Sequence, residues 1–206
     1  MKKITNRLFT GLAAGALAVG TVAAMSAPAQ AAAGTYTPEG PNPVIFTGGN
    51  VSFTAVEAGQ TLTCETFDLT GTITDPGVSR AFGAEGGSLT DLVSENCTNE
   101  IAGPTTVDPT GTWGLTVTSD EVGSVSPAAL TDVTAYVEAA GCSFNVAGDV
   151  SGDFDDVAQQ FTPTASTLII ADDPSGFLCP ALGVAQGQSI AVDGSWASNG
   201  LTIANP

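Results

Sequence analysis

Phe67-Asp-Leu-Thr-Gly-Thr-Ile73 and Phe144-Asn-Val-Ala-Gly-Asp-Val150 each place an apolar or small side chain at every second position, shortly after a cysteine, Cys64 or Cys142. Strict alternation is the mark of a strand with one face in a core. Further alternating runs lie at residues 50–57, Trp113–Val117, Val133–Val137, Thr167–Ile170 and Ser189–Val192. Turn chemistry separates them at Asp75-Pro-Gly77, Gly86-Gly87, Asp108-Pro-Thr-Gly111, Asp172-Asp-Pro-Ser-Gly176 and Asn199-Gly200. No window of helical length repeats every 3.6 residues. The expected fold is all-β, a single sandwich or barrel of roughly 10–12 short strands, with a short parallel β-helix as the alternative.

The two runs belong to a longer internal correspondence. Cys64, Phe67, Leu69, Gly71, Ile73, Leu89, Cys97, Gly111-Thr-Trp113 and Leu115-Thr-Val117 recur in order as Cys142, Phe144, Val146, Gly148, Val150, Leu168, Cys179, Gly194-Ser-Trp196 and Leu201-Thr-Ile203. We read this as two repeats, about 43–120 and 128–206, packed into one domain over residues 43–206. The pairing of the four cysteines follows from the same correspondence. Cys64 with Cys97 and Cys142 with Cys179 gives each repeat an equivalent bridge, closing 32 and 36 intervening residues. Each bridge is worth about 3–4 kcal/mol in the chain-entropy treatment.

The first 31 residues read as a secretory signal peptide: Lys2, Lys3 and Arg7, an apolar run from Leu8 to Met25, and small residues at Ala29-Gln30-Ala31. Residues 32–42, with Pro38 and Pro41, read as an extended N-terminal arm. The expected protein is secreted, extracellular or held at the cell surface, with no transmembrane segment once the signal is removed.

Beyond residue 31 the chain has one arginine, Arg80, no lysine and no histidine, against twenty-one carboxylates, a balance of −20. Such a field repels phosphate backbones, so nucleic acid is not an expected partner. The inventory also removes Ser-His-Asp and Cys-His catalysis, Schiff-base lysines and imidazole metal cages. Carboxylate chemistry alone remains, and a glycan hydrolase would need two acids set about 5–9.5 Å apart across a cleft. No pair in the linear sequence is singled out. Arg80 is expected to form an ordinary surface ion pair.

Two sets of residues are candidate sites. Asp149, Asp153, Asp155 and Asp156 form the densest acidic stretch and are a candidate calcium site, because hard cations take several carboxylate oxygens from a Gly-containing turn. Trp113 and Trp196 hold the same place in both repeats. They are candidate ligand platforms, with packing in the core against the bridges the favoured alternative.

The ordered set Leu62-Thr-Cys64, Leu69-Thr-Gly-Thr-Ile73, Asn96-Cys97, Gly141-Cys142, Val146-Ala-Gly148 and Phe177-Leu-Cys179 resembles a group of exported actinobacterial β-rich, two-disulfide proteins of about 200 residues. The group has no assigned activity, so the resemblance implies compartment and architecture alone. The functional expectation is a non-catalytic secreted or cell-envelope β module with a binding, structural or assembly role toward a cell-surface, glycan or protein partner. Alternatives are a carrier of a small apolar ligand inside the β framework, a carboxylate-based glycan hydrolase, and an envelope pore.

Overall fold

The structure, a computed structural model, describes residues 34–205. The signal peptide expected at residues 1–31 lies outside the described residues. The chain runs β1 (Thr35–Glu39), β2 (Val44–Ala55), β3 (Gln60–Ile73), β4 (Arg80–Ala81), β5 (Glu85–Asn99), β6 (Gly103–Thr110), β7 (Trp113–Val117), β8 (Val125–Ala139), β9 (Cys142–Asp155), β10 (Gln160–Ser166), β11 (Ile169–Ile170), the single-turn helix α1 (Cys179–Leu182), β12 (Ile190–Asp193), β13 (Trp196–Ser198) and β14 (Thr202–Ala204).

These strands close into an eight-stranded antiparallel barrel. Around the ring, β2 pairs β3 and β3 pairs β5. The next position is shared: β6 bonds one end of β5 and β8, and β7 bonds the other. Then β8 pairs β9, β9 pairs β10, β10 pairs β13, and β13 returns to β2 alongside β12. Every one of these pairings is antiparallel, which rules out the parallel β-helix. Residues 44–117 supply four consecutive positions and residues 125–198 the other four. Both shared positions are broken at a glycine with positive φ, Gly111 (75°) and Gly194 (125°), immediately before Thr112-Trp113 and Ser195-Trp196.

Several strands are much longer than the alternation in the sequence predicts, and the reason is local. Asn50 (φ 56°) in β2, Asn96 (φ 52°) in β5 and Asp132 (φ 55°) in β8 sit in the left-handed region, which Asn and Asp tolerate better than other residues with a Cβ. Each rotates its strand and changes which alternate residues face inward. In β2 the buried set passes from Val44 and Phe46 to Val51 and Ala55. In β8 it passes from Ala128 and Leu130 to Val133, Ala135, Val137 and Ala139. Periodicity is lost at each switch while hydrogen bonding continues. Gly86-Gly87 likewise lies inside β5 and is not a turn.

The N-terminal arm is extended, but it is not free. β1 lies between β14 and β4 in a small sheet that covers one end of the barrel. Its Tyr36 is fully buried, stacks on Phe82 and donates its hydroxyl hydrogen bond to the Ala84 carbonyl. Burial raises the phenol pKa above its ordinary value. Arg80 belongs to this cap and is not the surface ion pair expected of it. Its guanidinium donates to the carbonyls of Glu85 (2.7 Å), Asp75 (3.3 Å), Val78 (3.4 Å) and Thr74, tying the loop before β5 together.

Phe67 is the hub of the core. Its ring meets Phe53 at 5.2 Å, Trp113 at 6.1 Å and Trp196 at 6.2 Å between centroids. The Trp196 indole crosses Gly48 of β2 and donates its Nε1 hydrogen bond to the Phe67 carbonyl at 2.7 Å. A Cβ at residue 48 would lie 2.6 Å from that Nε1 and 2.7 Å from that carbonyl oxygen. Gly48→Ala should therefore separate the indole from its acceptor and lower stability by roughly 1–3 kcal/mol, as overpacking does. Chemical denaturation of both proteins measures the difference. An unchanged midpoint would show that the crossing carries no constraint.

Candidate functional site

The end of the barrel opposite the cap is differently filled. Toward the cap the interior holds Phe46, Leu69, Leu89, Leu130, Phe154 and Phe161. Beyond the Phe67 and Trp113 level the inward residues are smaller: Ala55, Val107, Val133, Ala135, Val137, Ala139 and Val146. An eight-stranded ring has a nearly fixed cross-section, just wide enough for ordinary side chains to fill. Where these are alanine and valine, space is left. The result is a cavity of about 70 Å3, with walls that are almost wholly apolar. Phe53, Leu62, Trp113, Phe144, Leu168 and Ile190 add to the lining, and every position of the ring except β10 contributes.

Over this end lies the segment from residue 171 to 189, which includes α1. Leu182 and Val184 form part of the cavity wall. The segment is fastened at both ends. Ser175 and Ser143 exchange two backbone hydrogen bonds at 2.8 Å, and Asp172 accepts from the Asn145 backbone N–H at 2.9 Å and from its Nδ2 at 2.7 Å. At the far end the Glu57 carboxylate accepts from the Ser189 N–H at 2.8 Å. Between these ties the Cys142–Cys179 bridge holds α1 to the start of β9.

Both disulfides pair as the repeats predict, Cys64 with Cys97 and Cys142 with Cys179. Their surroundings are not equivalent, however. Cys64 and Cys97 face each other on adjacent strands β3 and β5, with Cα atoms 3.9 Å apart. Cys179 is in the covering segment, so the second bridge joins barrel to lid. β5 is one unbroken strand of 15 residues, whereas the chain after β9 gives only β10 and β11 before leaving the ring as the lid.

The polar groups at the cavity are few. Asn99 Oδ1 accepts from the backbone N–H groups of Ile101 (3.0 Å) and Ala102 (2.7 Å), which fixes its amide orientation. Asn99 Nδ2 then donates to the Thr61 carbonyl (2.8 Å) and to Gln60 Oε1 (3.3 Å). Gln60 Nε2 is left as a donor without a partner among the described residues. Thr105 donates to the Gly103 carbonyl at 3.2 Å. No carboxylate lines the cavity.

Trp113 and Trp196 are each only 2% exposed, so neither is a solvent-facing platform. Trp196 is core, packed against Phe67 and Phe161. The aromatic partner the two share is Phe67. Trp113 differs in one respect: it donates Nε1 to the Thr110 carbonyl at 3.1 Å and turns a face to the cavity.

The four aspartates of the expected calcium site are not brought together. Asp149 and Asp155 are six residues apart on β9, about 20 Å at strand rise. Each of three carboxylates already has backbone partners: Asp149 accepts from Asp132 N–H at 2.9 Å, Asp155 from Val157 N–H at 2.8 Å and Ala158 N–H at 3.1 Å, and Asp156 from Ile203 N–H at 3.0 Å. Among the described residues no group of three or more His, Cys, Asp or Glu is placed to hold a metal ion. The acidic stretch is strand and turn structure.

No protein-family model matches the chain, and neither a curated protein nor a solved structure does. The site therefore stands on its own geometry.

Asp156 is unusual among these acids. Half-burial in the turn after β9 pushes its carboxyl up to about 6, against the Ile203 hydrogen bond, while Glu121 and Asp155 repel the charged form. Below about pH 6 the folded chain holds a proton that the unfolded chain releases until the ordinary carboxylate range, so this group adds stability as pH falls across that window. Glu57, Asp155 and Asp172 have the opposite sign: hydrogen bonds hold their pKa values down, and their contribution is lost in stronger acid. Asp156→Asn should raise the melting temperature at pH 7.5, and the advantage should vanish near pH 4.5. Paired melts at both values measure it; a constant offset would contradict the assignment.

Proposed function

We propose that the protein is an exported, non-catalytic binding module that takes a small apolar ligand, or the apolar end of a larger one, into the lidded end of its barrel. The observation that carries this reading is the apolar cavity beneath the 171–189 segment. Ligand sites are concave, mostly apolar and provided with a few placed polar groups. A cavity of about 70 Å3 is small, roughly half the size of an engineered cavity that binds benzene. It suits the tip of a chain, the remainder passing out at the rim beside the lid.

Export is supported by the two formed disulfides and by the absence, among the described residues, of any helix long and apolar enough to cross a membrane. A duplicated origin is supported by the matched ring positions and by the two glycine breaks before Trp113 and Trp196. A hydrolase reading gains nothing from the cavity, whose wall has no carboxylate. The envelope-pore reading is disfavoured by the outward positions. Thr61, Thr63, Asp68, Thr70 and Thr72 line the outside of β3, and Asn145, Asp149, Ser151, Asp153 and Asp155 that of β9, where a lipid-facing barrel carries an apolar band.

Titration with 1-octanol should produce a saturable change in tryptophan fluorescence with one site per chain, because Trp113 lines the cavity. Ala135→Leu fills that space and should abolish the change, while circular dichroism stays that of the parent barrel. Absence of saturable binding by the parent protein would sink the proposal.

A further inference from the structure

The rim residues of the cavity also border a second, separate depression. On the outer side of the β3–β5 pair, next to the same hairpin tips, lies an open depression of about 370 Å3 lined by Gly59, Thr61, Thr63, Thr98, Glu100 and Ile101. Gln60 and Asn99 belong to both walls. An apolar interior and a hydroxyl-lined exterior thus meet at one amide pair, whose orientation is set by the Ile101 and Ala102 N–H groups and whose free donor is Gln60 Nε2.

Resting on the proposed binding role, we infer that the ligand is an uncharged amphiphile: its apolar chain occupies the barrel and its hydroxyl-rich head, of the sugar or polyol class, lies in the threonine groove. The inference rests on two matches. The groove offers threonine hydroxyls, an amide donor and the exposed Glu100 carboxylate, a mixture of donors and acceptors that complements hydroxyl groups, which are both. Charge supplies the second. A fatty-acid carboxylate in this open groove would keep its water, but it would find no cation or cluster of free N–H groups to hold it. Among the described residues the one cation is Arg80, in the cap at the other end and already directed at four carbonyls. Glu100 in the groove and Glu57 at the neighbouring turn would repel an anion. A cationic head is the remaining alternative for an acidic surface, and it would leave Gln60 Nε2 facing a group that accepts no hydrogen bond.

Three probes with one chain length separate these possibilities: octyl β-glucoside, octanoate and octyltrimethylammonium, each below its micelle concentration and read by tryptophan fluorescence at pH 7. The glucoside should bind at least tenfold more tightly than either ion. Gln60→Glu keeps the acceptor for Asn99 and removes the donor, and Thr63→Val with Thr98→Val removes two hydroxyls at nearly constant shape. Each should weaken the glucoside by roughly three- to tenfold, the scale of one or two hydrogen bonds. The threonine pair should leave 1-octanol binding unchanged. If an ion binds as tightly as the glucoside, or if the threonine changes weaken octanol and glucoside alike, the head-group assignment is wrong while the apolar site stands. If no octyl probe binds, the carrier reading fails as well.

Discussion

Ring closure governs this molecule. Once eight antiparallel positions meet edge to edge, the ring has no open edge of its own, and the interior cross-section is set by strand number and tilt and not by the side chains. The side chains can only fill that volume or leave it empty. At the cap end aromatic and leucine residues fill it, and β1 with Tyr36 covers what remains. At the other end the inner face of β8 offers Val133, Ala135, Val137 and Ala139, and a cavity follows. Between the two regimes stands the layer of Phe67, Trp113 and Trp196, fixed by an indole hydrogen bond that only a glycine at residue 48 lets through.

Much of the framework was legible in the sequence because period-two burial and disulfide pairing are local or nearly so. The alternation after Cys64 and Cys142 marks β3 and β9, Trp113–Val117 is β7 to the residue, and the repeat correspondence pairs the cysteines correctly. What escaped was whatever depends on a change of facing. Asn50, Asn96 and Asp132 hide strand continuity, since a single left-handed residue interrupts the periodicity and spares the hydrogen bonding. Arg80 escaped too. Its partners are main-chain carbonyls from a loop whose path no composition reveals, so a search for oppositely charged side chains looks in the wrong place.

The candidate site was less legible, for a related reason. Its wall collects residues from seven of the eight ring positions, four of them from β8, and none is unusual in type. The one linear trace is the run Val133-Thr-Ala-Tyr-Val-Glu-Ala139, whose inward residues are all small; smallness reads as void only once the opposite wall is known. The aspartates of β9 misled in the complementary way. They are conspicuous in the sequence, yet alternation along an extended strand spreads them along the outside of the barrel and gives several of them backbone N–H groups to accept. The tryptophans were legible as core residues, but only the structure separates Trp113, which meets the cavity, from Trp196, which does not.

The unequal disulfides carry a further consequence. Cys64–Cys97 joins two strands that hydrogen bonding already holds side by side, so the barrel wall has a second means of staying together when thiols are reduced. Cys142–Cys179 joins the wall to the covering segment, whose helix α1 is too short to persist by itself. Oxidation therefore does different work at the two bridges. At the first it reinforces a wall already built. At the second it adds a covalent tie to a roof that the Ser143–Ser175, Asn145–Asp172 and Ser189–Glu57 hydrogen bonds otherwise hold alone, so loss of the bridges in a reducing compartment would loosen the closure of the vessel before its wall.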